Sequence, residues 1–114
     1  MTTAYGVVAR CNPSISRDTI EAAVSRLART IFPNASIALG EDTDHGSLVS
    51  ERPQPFVFLY VTESGRSFSF CRFRRFPEGA EFVFNLTESG RSSAELERYL
   101  TGSLSIEVVR RQLF

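Results

Sequence analysis

Three phenylalanine-rich runs, separated only by two turns, constrain this chain more than any other feature. The runs are Phe56-Val57-Phe58-Leu59-Tyr60-Val61, Ser67 to Phe76, and Glu81 to Leu86. Thr62-Glu63-Ser64-Gly65-Arg66 and Pro77-Glu78-Gly79 break them. Period-two alternation sends side chains to opposite faces of a strand, while Gly, Pro and small polar residues reverse the chain. A three-stranded antiparallel meander follows. The first run is apolar on both faces, as in a strand covered on both sides. In the second, Phe68 and Phe70 share a face and the parity then slips to Phe73, which predicts a bulge near Cys71-Arg72.

The flanking segments complete an α+β pattern. Thr3 to Arg10 reads as a strand, ended by Asn12-Pro13-Ser14. From Ser16 to Phe32, Ile20, Val24, Leu27 and Ile31 recur at the helical period, with Ser16 or Asp18 as the cap. Asp18 and Glu21 have capping-box spacing, and Pro33-Asn34 stops the helix. Ser36 to Leu39 is a short strand, and Gly40 to Pro55 a long polar loop. Thr-Glu-Ser-Gly-Arg-Ser occurs at 62–67 and again at 87–92, where it leads into a helix. In that helix Ser92 and Glu95 have capping-box spacing, Leu96, Tyr99 and Leu100 form the stripe, and Gly102 is the expected stop. Ser103 to Val109 alternates through Leu104, Ile106 and Val108 and reads as a closing strand, with a helical reading of 103–113 as the alternative.

The order is β-α-β-β-β-β-α-β, so the expected fold is a mostly antiparallel sheet with two helices on one face. With 114 residues, a single domain over 1–114 is expected, because two cores would each be too small. Two short helices cover one face of such a sheet. The aromatic side of 56–61 must then be covered by the long loop, a second copy or a partner.

Net charge is zero, so no global field draws the protein to nucleic acid or to an anionic membrane. Every basic residue is Arg, the residue that makes bidentate and stacking contacts. Met1 to Arg10 lacks the pattern of an export signal, and no apolar run reaches the roughly 18–20 residues of a membrane span. A cytoplasmic location is expected, with Cys11 and Cys71 as buried free thiols.

The residue types that carry catalysis are sparse. Glu41-Asp42-Thr43-Asp44-His45 gathers carboxylates and the sole His, but its spacing is not that of an EF-hand. A thiol–imidazole pair would have to recruit His45 to Cys11 or Cys71. Nucleophile-elbow, Walker and dinucleotide motifs are missing. The expectation is a non-enzyme with no catalytic residue, no metal and no cofactor.

Arg66-Ser67-Phe68-Ser69-Phe70-Cys71-Arg72-Phe73 resembles the second RNA-contact motif of the RNA-recognition motif, in which strand aromatics stack bases and Arg holds phosphates. Phe82 to Leu86 loosely resembles that family's other motif. The two stand here in reversed order, Ser replaces Gly, and an extra strand intervenes, so no family membership follows.

Charge is segregated, with Arg66, Arg72, Arg74 and Arg75 around one strand and Glu41, Asp42, Asp44 and Glu51 in the long loop. Arg beside aromatics is the composition of protein-binding hot spots. The reading is a small protein-binding module, of the inhibitor, immunity-protein or antitoxin type, that acts by steric blockade. Its expected contacts are Phe58, Tyr60 and Phe70 as anchors and Arg72, Arg74 and Arg75 as orienting charges, with Asp42, Asp44 and His45 in the loop. Two alternatives stand beside it: a single-stranded nucleic-acid binder, and a homodimer enclosing a small-molecule pocket.

Overall fold

The computed structural model describes residues 3–42 and 55–113. Its strands are β1 (Ala4–Arg10), β2 (Ser36–Asp42), β3 (Phe56–Glu63), β4 (Arg66–Arg75), β5 (Gly79–Asn85) and β6 (Glu107–Leu113). Its helices are α1 (Arg17–Ile31), α2 (Leu86–Ser89) and α3 (Ser93–Leu104). The strands form one sheet in the order β2-β3-β4-β5-β1-β6, with every ladder antiparallel. The expected α+β architecture holds, with α2 as an addition.

α1 forms where the apolar stripe lies. Ile20, Ala23, Val24, Leu27 and Ala28 are buried, and the Ser16 side chain caps the start by accepting from the Thr19 amide. The Asp18–Glu21 pair is not the cap; Glu21 instead takes Arg17 Nε at 3.2 Å. At the other end the Phe32 amide closes on the Ala28 carbonyl at 2.8 Å, and Pro33 has no amide to continue the ladder.

The core lies between the helices and one face of the sheet. Val57, Leu59 and Val61 of β3, Phe70 and Phe73 of β4, and Phe82 and Phe84 of β5 meet Val24, Leu96 and Leu100 there. Burying each such side chain contributes about 1.5–3 kcal/mol before entropy is charged. The slip in Phe parity is a real bulge. Leu59 pairs Cys71 while Tyr60 pairs Ser69, so Phe70 is the extra residue on β4.

Several boundaries differ from the sequence reading. β2 extends to Asp42, because Gly40, Glu41 and Asp42 continue the ladder opposite Phe58, Val57 and Phe56. Most of the expected loop, 43–54, lies outside the described residues. Gly102 does not stop α3. The helix runs on to Leu104, which is buried, and ends at Ser105 in the left-handed region. The closing strand therefore starts at Glu107 rather than at Ser103.

The two Thr-Glu-Ser-Gly-Arg-Ser copies do different work, as their settings suggest. The first makes the tight β3–β4 turn, with φ of 55° at Ser64 and 76° at Gly65. The second forms α2, closed by Gly90 at φ 63°.

Candidate docking face of the sheet

α1 and α3 cover one face of the sheet, and β3 divides its side chains between the two faces. Val57, Leu59 and Val61 go to the core, while Phe56, Phe58 and Tyr60 form a row on the opposite face. The strand that looked apolar on both sides is thus covered by helices on one side only. Phe56 and Phe58 are half-buried, and Tyr60 is 41% exposed. The Phe58 and Tyr60 rings stack at 5.9 Å with an interplanar angle of 15°. Tyr60 also leans over Gly40, where an added Cβ would meet its ring at 3.1 Å.

β4 lays its guanidinium groups beside that row. Arg72 stands opposite Phe58 in the ladder, with its Cζ 5.2 Å from the centre of the Phe56 ring. Arg74 approaches the same ring at 4.6 Å. Arg74 is neutralised by Glu81, directly across the β4–β5 ladder, with Nε to Oε1 at 2.8 Å. Arg72 faces Val83 instead and has no ion-pair partner among the described residues. Its Nε is sealed from solvent and unbonded, the one such side-chain atom among the described residues.

No family model matches this chain. No curated protein and no solved structure matches it significantly either. The functional argument therefore rests on the geometry of the chain itself.

Of the residues singled out from sequence, Phe58, Tyr60, Arg72 and Arg74 come together on the helix-free face. Phe70 does not. The bulge keeps it on the helical side, fully buried against Phe32 and Phe84, so it is a core residue and not an anchor. Arg75 is also spent internally. It donates to the carbonyls of Ile15, Asn12, Gly79 and Phe76, tying the β1–α1 linker to the β4–β5 turn. Arg66 pairs with Glu88 of α2. Asp42 ends β2, while Asp44, His45 and Glu51 lie outside the described residues. Glu41 belongs to the helical side, where it takes Arg17 at 2.7 Å.

In the stretch that resembles an RNA-contact motif, Phe70 and Phe73 are both buried, so neither ring is presented to a base. Phe56 was missed as a site residue, although it shares the parity of Phe58 and Tyr60 that would have found it. The role of Glu81 in silencing Arg74 had no local signal.

Cys11 and Cys71 are free and buried. Burial pushes both thiols up, Cys71 much further, so both keep their protons at neutral pH. No group of three His, Cys, Asp or Glu among the described residues could hold a metal ion. Among the described residues no helix is long and apolar enough to cross a membrane.

Proposed function

We propose that this chain is a small protein-binding module that docks its partner on the helix-free face of the sheet. Phe56, Phe58 and Tyr60 are the apolar contacts, and Arg72 orients the partner. The observation that carries this reading is the aromatic row with the uncompensated Arg72 beside it, on a face that no described helix or strand covers. Aromatic and Arg side chains that are already part-desolvated and held by a sheet lose little freedom on binding, which is what hot-spot residues require. Steric blockade, as an inhibitor, immunity protein or antitoxin exerts it, needs nothing beyond such a surface.

The test starts from a photo-reactive benzoylphenylalanine at position 60, with one at Arg26 on the exposed side of α1 as the control. The cross-linked protein is identified, purified and titrated against wild type and the Arg72→Ala/Arg74→Ala double variant. At least a tenfold loss of affinity in the variant supports the reading. Unchanged affinity, or cross-linking from position 26 alone, overturns it. An adduct at twice the mass of the chain would instead assign the face to self-association. A nucleic-acid ligand would show itself by steep loss of binding with salt.

A further inference from the structure

The outer strands of the sheet are β2 and β6, and the chain treats these two edges differently. An edge strand offers a row of unpaired backbone N–H and C=O groups to any strand that reaches it; bulges and charged side chains blunt it. β6 has both. Its ladder with β1 skips Val109 between Val8 and Ala9, and it carries Glu107, Arg110 and Arg111. β2 has neither from Ser36 to Gly40. Ser36, Ile37, Ala38, Leu39 and Gly40 are uncharged and pair with Thr62, Val61, Tyr60, Leu59 and Phe58 in unbroken register. Among the described residues no strand lies outside β2.

The side chains of β2 fit an edge that is paired rather than blunted. Ile37 and Leu39 stand opposite Val61 and Leu59, so both point to the helical side. Ile37 packs on the core, but Leu39 is 44% exposed, so no described helix reaches over it. On the opposite side Ala38 and Gly40 are too small to obstruct a neighbour.

A second copy of this chain satisfies that edge. A twofold axis normal to the sheet sets two β2 strands antiparallel and keeps the helices of both copies on one side. With the axis at Ala38, Ile37 of each copy stands opposite Leu39 of the other. An axis at Leu39 sets Ile37 against Glu41, and one at Gly40 sets Leu39 against Glu41. An axis at Ile37 carries Leu39 past the end of the partner strand. Only the axis at Ala38 matches the apolar side chains of the two strands. There Glu41 falls opposite Ala35, and its charge is already met by Arg17 at 2.7 Å. We infer that two copies of this chain join by antiparallel pairing of β2 about Ala38, making one continuous sheet. This goes beyond the docking reading, since edge pairing leaves Phe56, Phe58 and Tyr60 of both copies open on the same side.

Sedimentation of the full chain from about 1 µM to about 1 mM shows monomer passing to dimer, with a dissociation constant of roughly 10–100 µM for so short a contact. Leu39→Arg sets a charge opposite Ile37 and weakens the dimer at least tenfold, while the amide spectrum reports an intact fold, Leu39 lying outside the core cluster. Val109→Arg, at an exposed position of the other edge, leaves the dimer unchanged. Isotope-filtered spectra of mixed labelled and unlabelled wild type, which need no variant, place the Ile37 methyls of one copy against the Leu39 methyls of the other. A monomer throughout, a dimer as strong in Leu39→Arg as in wild type, a dimer weakened by Val109→Arg, or intermolecular contacts without Ile37 and Leu39 overturns the proposal. Any double-mass adduct from position 60 is sought again in Leu39→Arg: its loss supports the edge, and its persistence assigns self-association to the aromatic face instead.

Discussion

The hydroxyl of Tyr99 in α3 donates to the main-chain carbonyl of Ala23 in α1 at 2.7 Å. It is a polar tie between two helices that each send a leucine, Leu27 and Leu96, into the core, and it joins residues 76 apart in the chain. Tyr99→Phe keeps the ring and removes only this bond, so unfolding in urea should report a loss of about 0.5–1.5 kcal/mol. The slope against denaturant should not change, since the ring still fills the same space.

The two faces of the sheet should respond to truncation very differently. Phe70→Ala empties a fully buried site and should cost about 3–5 kcal/mol. Tyr60→Ser on the opposite face should cost no more than about 1 kcal/mol, most of it the stack on Phe58. Equal losses in thermal unfolding would mean that the aromatic row is as enclosed as the core.

Two glycines should move stability in opposite directions. Gly79 pairs with Arg10 where β5 meets β1, and a Cβ there would sit 2.2 Å from the Ala9 carbonyl oxygen. Gly79→Ala should therefore cost about 1–3 kcal/mol. Gly102 lies inside α3 with nothing within 4 Å of an added Cβ. Gly102→Ala should stabilise by about 0.5–1 kcal/mol, because alanine loses less backbone freedom in a helix. Denaturation midpoints of the two variants check both signs.

Glu97 couples stability to pH. Arg111 donates to its carboxylate at 2.6 and 2.9 Å and Tyr5 at 2.8 Å, which holds the group below the usual carboxylate range although partial burial opposes them. A depressed folded-state value means that the stabilisation is present above the unfolded value, roughly 4.3, and is lost as pH falls through the folded one. Glu97→Gln should thus lower stability at neutral pH and flatten the acid limb of the stability curve. The same contacts act on Tyr5, whose hydroxyl is pushed up by burial first and by Glu97 second. Denaturant titrations from pH 2 to 8 on both proteins decide the matter; parallel curves would exclude Glu97 as a source of the acid limb.

The two faces of β3 illustrate how far the sequence could be read. The alternation in 56–61 correctly divides β3 into two faces, since a strand's parity is a local property of its backbone. What covers each face is not local. Only the path of α1 and α3 over the sheet shows that Val57, Leu59 and Val61 are enclosed while Tyr60 is left 41% exposed. The same limit explains Phe70. A bulge could be read from the slipped parity, but not that it would keep this ring in the core. Gly102 looked like a stop because glycine commonly follows a helix; packing of Leu104 into the core carries α3 past it.

By itself, then, the sequence determined the kinds of element and their order, because periodicity, caps and turns act over a few residues at a time. It also set the chemistry available to the chain: a sole His, two thiols, and Arg in every place where Lys could have stood. Tertiary structure decided which of those groups are spent and which are free. Arg75 finds the Ile15 carbonyl 60 residues away, and Arg74 finds Glu81 only because β4 and β5 pair in that register. Arg72, two residues from Arg74 on the same strand face, meets Val83 and keeps its Nε unbonded. Hydrogen bonding is settled at a range of about 3 Å, and which atoms come that close is fixed by strand register and chain crossing, not by neighbours in sequence.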